Sequence, residues 1–335
     1  MAVKSFRTAL NEAMRLEMRR DPRVVLIGED IAGGIGGAGE EDAWGGVMGV
    51  TKGLLGEFGP NRVLDTPISE MAYIGAAVGA AATGLRPVAE LMFCDFLGVC
   101  FDQILNQAAK FRYMFGGKAS MPLVIRMQCG AGFSASAQHS QSLHALLTHI
   151  PGLKVVMPSN PRDAKGLLIE AIRDDDPVMF FENKVMYDDK GEVPDEAFTV
   201  PIGVANVVRN GSDVTICALG RMVNIASQAA EVLAKKNIEC TVVDLRSTSP
   251  LDADTIIESI EATGHLVVVD EGNPRCGLAI DVAGLAATRA FYALESPVRI
   301  VTPPHTPVPF APTLESLYIP SVSRIVEAGE QSLET

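Results

Sequence analysis

The chain has 335 residues, 47% of them hydrophobic, and a formal net charge of -13. That length exceeds a single hydrophobic core and predicts two domains, while the negative charge argues against nucleic acid or an anionic membrane as partner. No apolar run reaches the roughly 20 residues that cross a bilayer, and Lys4, Arg7, Glu12, Arg15 and Glu17 interrupt the N-terminus where a signal peptide would be apolar, so a cytoplasmic protein is expected.

A first helix is read over Ser5 to Arg19, where Phe6, Ala9, Leu10, Ala13 and Met14 recur on one face. Strands follow at Val24 to Gly28 and Arg62 to Asp65. Between them Gly34 to Gly39 fits G-x-G-x-x-G, the spacing of a dinucleotide loop. The segment lacks a following helix whose N–H groups would face a diphosphate, and Glu29, Asp30, Glu40, Glu41 and Asp42 surround it with repelling charge. Gly33 to Gly46, with the only tryptophan at Trp44, is therefore read as a surface or interface loop.

Asp65 to Glu70 then leads into Met71 to Leu85, a run of small and apolar residues without a charge. Two readings of this junction stand. Ser69 caps a helix and Glu70 is a first-turn acid favoured by the helix dipole, or Glu70 is a carboxylate held in a dry place for chemistry.

Further strands are read at Pro87 to Phe93, Leu123 to Gln128, Lys154 to Met157 and Pro177 to Glu182, with helices over Phe101 to Phe115 and Asn160 to Arg173. The second of these helices has Asn160 as N-cap, Pro161 at the first helical position and Asp163 in the first turn. His139 falls at a strand-to-helix junction, where an imidazole could exchange a proton with a ligand or simply satisfy nearby backbone. His144 and His149 read as structural or interfacial, and no G-x-S-x-G elbow suggests a nucleophilic triad. Alternating strands and helices predict a parallel α/β sheet.

A polar stretch at 184–204 reads as a linker between a first domain, 1–183, and a second, 205–335. Strands at Val214 to Leu219, Cys240 to Leu245, Leu266 to Asp270 and Val298 to Val301 alternate with helices at Met222 to Lys235, Leu251 to Glu261 and Ala279 to Ala290, a smaller α/β domain. A closing helix is read over Leu314 to Ala328. Cys94, Cys100, Cys129, Cys217, Cys240 and Cys276 show no C-x-x-C spacing and read as reduced core residues.

Taken in order, Glu29-Asp30, Asp65 to Glu70, Gly75 to Pro87, Asp102-Gln103-Ile104, Ala137 to Gln141, Pro151 to Val156, Asp163 to Leu168, Asp244-Leu245-Arg246 and Ser249 to Asp252 closely resemble the E1 β subunits of 2-oxo acid dehydrogenase complexes. Within that family Asp42 to Leu54 and Leu91 to Gly117 look most like the acetoin-cleaving branch; the rivals are the pyruvate and branched-chain 2-oxo acid branches. A scaffold subunit without catalytic residues is the reading from another class.

The resemblance implies a two-domain transketolase-type fold, a pyrimidine-binding domain followed by a transketolase-type C-terminal domain. It implies an α2β2 heterotetramer with an E1 α subunit, a lipoyl E2 acyltransferase as acceptor, and thiamine diphosphate as cofactor. Nothing here resembles the G-D-G and N-N segments that hold Mg²⁺ and the diphosphate, so that half falls to the α subunit. Glu70 matches the glutamate that hydrogen-bonds the pyrimidine N1′ and promotes the 4′-imino tautomer. Met92 and Phe96 match positions packed around the pyrimidine, and His139 the histidine facing the substrate and the lipoyl arm. Leu123, Ala171, Ile172, Asp174 and Asp176 match a K⁺ site found in some members; this chain has Asp176 where the pyruvate branch commonly has asparagine, and the acidic run also reads as a solvated helix end.

Overall fold

The computed structural model describes residues 1–32 and 45–334. In chain order the N-terminal part contains β1 (Ala2–Ser5), α1 (Phe6–Arg20), β2 (Val24–Glu29), α2 (Leu54–Phe58), β3 (Val63–Thr66), α3 (Glu70–Ala82), β4 (Arg86–Phe93), α4 (Ala109–Met114) and β5 (Val124–Cys129). After a short α5 (His144–Thr148) come β6 (Lys154–Val156), α6 (Pro161–Arg173), β7 (Val178–Asn183) and β8 (Lys190–Val193). Two compact units result, one of Met1–Cys129, Leu147–Val156 and Asn160–Ile202, the other of Gly130–Leu146, Met157–Ser159 and Gly203–Thr335.

In the first unit the strands stand in the order β6-β7-β5-β4-β2-β3, and every neighbouring pair is parallel. Strands β5 and β7 are buried along their whole length, as expected of central strands covered on both faces. Helices α1 and α6 pack together over one face, where Phe6, Leu10, Met14, Leu167 and Leu168 are fully buried. Between these helices Glu17 is fully buried, and Arg173 reaches it at 2.6 Å. The Asn160 cap forms as expected, its side-chain oxygen accepting from the Asp163 N–H at 2.9 Å.

Three local expectations change. Ser69 does not cap α3; its hydroxyl donates to the Pro67 carbonyl at 3.1 Å instead. The helix read over Phe101 to Phe115 contains a wide turn at Gln103–Ala108 before α4, an inserted residue that re-aims the helix, and it ends where the Gly117 N–H bonds the Arg112 carbonyl at 2.9 Å with both Gly116 and Gly117 left-handed. Within the polar stretch 184–204, β8 pairs antiparallel with β1, Ala2 opposite Val193.

The second unit contains β9 (Asn206–Arg209), β10 (Val214–Ala218), α7 (Arg221–Ala234), β11 (Cys240–Asp244), a short β12 (Ser247–Ser249), α8 (Ala253–Thr263), β13 (Leu266–Val269), α9 (Leu278–Arg289), β14 (Arg299–Val301), α10 (Pro312–Tyr318) and α11 (Val322–Ser332). Its five-stranded sheet has the order β14-β13-β10-β11-β9, parallel except at β9. The single closing helix expected over Leu314 to Ala328 is two helices, because Pro320 has no N–H to continue the first; Ser321 then caps α11. None of the six cysteines is in a disulfide, and Cys276 is exposed rather than in the core.

Candidate active site

Glu70 is the first residue of α3, and its burial follows from the sheet. Parallel pairing sets Glu29, the last residue of β2, opposite Thr66 of β3. Four residues beyond Thr66 the chain enters α3, so the end of β2 and the head of α3 stand together. Glu70 is 7% exposed and Glu29 6%. Burial, then the Glu70 charge and then Asp30 push the Glu29 carboxyl up to about 7, against a smaller pull from the Ser69 N–H. The Tyr73 hydroxyl, one turn along α3, is raised by burial and by the charges of Glu29 and Glu70. Burial and then Glu70 push the Cys100 thiol up to about 12. Neither Glu29 Oε1 nor the Tyr73 hydroxyl has a hydrogen-bond partner among the described residues.

Met92 lies near the end of β4 and Phe96 in the tight turn that follows; both are half-buried. The Phe93 and Phe96 rings meet edge to face with centroids 5.6 Å apart. Glu70, Met92 and Phe96 all belong to the first unit.

His139 belongs to the second unit. It ends the single turn Ala137–His139 and is half-buried. The segment carrying it begins at Gly130, whose N–H bonds the Gln141 carbonyl at 2.9 Å and closes a loop. His144, expected as structural or interfacial, is buried and its Nε2 lies 3.1 Å from Asp270. Burial pulls the His144 imidazole down, yet the Asp270 charge, its hydrogen bond and the Glu271 charge together outweigh it and the net shift is upward. Burial likewise pushes Asp270 up, but His144 and the N–H groups of Gly272 and Glu271 hold its carboxyl below the usual range. Beside the loop is a cavity of about 410 Å³ lined by Gln138, Gln141, Glu271, Asn273, His305 and Tyr318 among others.

The oxygens matched to a K⁺ site meet protein cations or backbone donors. Arg86 donates to the Ile172 carbonyl at 2.9 Å and to the Asp174 carbonyl at 2.7 Å. Lys154 lies 2.5 Å from the Asp174 carboxylate, and Arg112 2.6 Å from that of Asp176. The carbonyls of Leu123 and Ala171 accept from Val178 and Asp174. Among the described residues no cluster of His, Cys, Asp and Glu could hold a metal ion, and no helix is long and apolar enough to cross a membrane. The glycine-rich segment Gly33 to Gly46, apart from Gly45 and Gly46, and Trp44 with it, lies outside the described residues.

Sequence reasoning took Glu29 as an acid beside the glycine-rich loop and as part of the family pattern, without a role at the site, and it missed Tyr73. Their roles depend on strand pairing that brings positions 29 and 70 together, and no local motif carries that.

The chain matches the transketolase pyrimidine-binding domain over residues 3–190 and the transketolase C-terminal domain over residues 203–325. It is 61% identical to the acetoin:2,6-dichlorophenolindophenol oxidoreductase subunit beta of Cupriavidus necator, covering 98% of this chain and 97% of the relative. Against the Bacillus subtilis protein of the same name the identity is 58%, over 97% and 95% of the two chains. The pyruvate dehydrogenase E1 component subunit beta of Rickettsia felis is 46% identical over 96% of each. A solved structure titled split gene transketolase, inactive beta4 tetramer, shares the fold with a TM-score of 0.78 at 24% identity, covering 98% of both chains.

Proposed function

We propose, because this chain belongs to the transketolase-like E1 β subunits of 2-oxo acid and acetoin dehydrogenase systems, that it is the β subunit of a thiamine-diphosphate-dependent E1 that cleaves acetoin. Acetaldehyde leaves, and the remaining two-carbon unit is passed to lipoamide with a two-electron oxidation. The working enzyme is an α2β2 heterotetramer with an E1 α subunit that holds Mg²⁺ and the diphosphate, and its acceptor is the lipoyl arm of an E2 acyltransferase. Thiamine diphosphate supplies, when bound, a carbon nucleophile and an electron sink for breaking the bond beside a carbonyl.

The observation that carries this reading is the buried Glu70 carboxylate at the head of α3, in a group dominated by other acids and by unmatched polar atoms. That set fits an aminopyrimidine. Glu70 offers a carboxyl that shares a proton with a ring nitrogen, Glu29 Oε1 a further polar atom, and Met92 and Phe96 apolar surface for the ring. In a dry place the charge-assisted hydrogen bond between Glu70 and that nitrogen is strengthened, and a positioned acid or base contributes about 10²- to 10⁴-fold. His139 orients the substrate or moves its proton. The two relatives named for acetoin support that substrate over a 2-oxo acid.

The test is dye reduction by the chain purified with its α partner, offered acetoin, pyruvate and 2-oxoisovalerate. Turnover of acetoin is expected; turnover confined to a 2-oxo acid overturns the substrate. Glu70→Gln should lower the rate by roughly 10²-fold or more if Glu70 acts as a positioned acid-base, whereas a scaffold subunit would lose nothing.

A further inference from the structure

The loop that carries His139 is held by carboxylates of its own unit. Its Ala131 N–H donates to Glu271 at 2.6 Å. The N–H groups of Gly132 and Ser134 donate to the two oxygens of Glu315, at 2.8 and 2.9 Å, and the Ser134 hydroxyl adds a contact at 3.2 Å. Glu315 is 3% exposed, and it reaches the loop from α10, 183 residues away in sequence. On the far side of His139, His144 is tied to the fully buried Asp270.

Such anchoring answers a local need. Ser134 and Ser136 adopt φ values of 52° and 61°, and neither is a glycine. A left-handed backbone at such residues costs about 1–3 kcal/mol and persists only where the surroundings over-determine it. Hydrogen bonds from backbone N–H groups to a buried carboxylate are strong enough to do so. They fix Gly132 and Ser134 in the stretch where the chain reverses to present the 137–139 turn.

From this geometry we propose that Glu315, with Glu271 and the His144–Asp270 pair, is a positioning device for His139: it sets the imidazole by holding the chain on both sides of the 137–139 turn and touches no substrate. The proposal rests on the catalytic reading of His139 given above. It assigns to α10 and to the end of β13 a part in the reaction that their own side chains do not perform.

Glu315→Gln tests it in the assembled α2β2 enzyme. An amide of the same size presents one acceptor oxygen where the carboxylate has two, and its NH₂ faces a donor. Amide hydrogen exchange over 131–139 should speed up while assembly is unchanged. The kcat for acetoin-dependent dye reduction should fall on the order of 10-fold to 100-fold, as expected when a reacting group is misplaced, and combining the change with His139→Ala should bring no further loss. Unchanged exchange, an unchanged rate, or losses that multiply in the double variant each overturn the positioning role. A silent His139→Ala overturns the catalytic reading of His139 and the proposal with it, a result distinct from one in which His139→Ala is costly and Glu315→Gln is not. If the glutamine variant does not assemble, Glu315→Asp, which keeps the charge but withdraws it from the loop, must give the same pattern.

Discussion

The sheet of the first unit buries two acidic clusters, and they are built in opposite ways. On β4, β5 and β7 the fully buried Arg126 lies 2.8 Å from Glu90 and 2.7 Å from Glu182, and the Tyr187 hydroxyl donates to Glu182 at 2.7 Å. Burial opposes its charge, yet the two carboxylates keep Arg126 firmly protonated. At the end of β2 and the head of α3, Glu29 and Glu70 face each other's charge instead, and Glu29 Oε1 and the Tyr73 hydroxyl are left without a partner among the described residues. A buried polar group normally finds its hydrogen bonds. The first cluster is complete within the fold and reads as structure, while the second keeps polar atoms that no described residue satisfies, as the proposed cofactor site requires.

The largest effect that separates them is on stability. Arg126→Leu strands two buried carboxylates and should cost about 3–5 kcal/mol, as breaking a buried ion pair does; urea melts measure it, and a cost below about 1 kcal/mol would contradict the structural reading. Glu70→Gln should behave in reverse. It removes the charge that acts on Glu29, so its melt should match the wild type or exceed it even as activity falls. A Glu70→Gln protein that is inactive because it is unfolded would erase the distinction.

Much of this was legible in the sequence. A carboxylate ahead of an uncharged, glycine- and alanine-rich helix singled out Glu70, and the Asn160-Pro161 cap and the alternation of strands with helices set the framework. The partners were not legible, for a physical reason. Glu29 meets Glu70 only because β2 pairs in register with β3, and Glu315 meets Ser134 across most of the second unit. Arg126 and Glu90 each sit in a strand that reads as apolar, and only sheet order β7-β5-β4 makes them neighbours. The break at Pro320, by contrast, could have been read locally, since proline forbids the continuous closing helix that apolar periodicity suggested.

A smaller effect lies in the pH dependence of folding. Glu29 titrates near 7 in the fold against an ordinary 4.5, so between those values the folded state holds a proton that the unfolded chain has released. Stability attributable to this group is therefore greatest at acid pH, declines as pH rises from about 4.5 to about 7, and is level above that. Glu29→Gln should flatten that decline, read as the difference between urea midpoints at pH 5 and pH 8. A variant with the wild-type slope would show that Glu29 is as hydrated as an exposed acid.

The finest comparison removes one oxygen from each cluster. Tyr187→Phe deletes a hydroxyl that donates to Glu182, so it should cost about 0.5–1.5 kcal/mol, the net worth of a typical hydrogen bond. Tyr73→Phe deletes a buried hydroxyl that meets no acceptor among the described residues, and it should be neutral or slightly stabilising for the unloaded protein. Both rings are buried, at 2% exposure, so packing is matched and the difference between the two urea melts isolates the hydroxyl. If Tyr73→Phe costs as much as Tyr187→Phe, its oxygen is already satisfied within the protein, and the cluster around Glu70 is as self-contained as the one around Arg126.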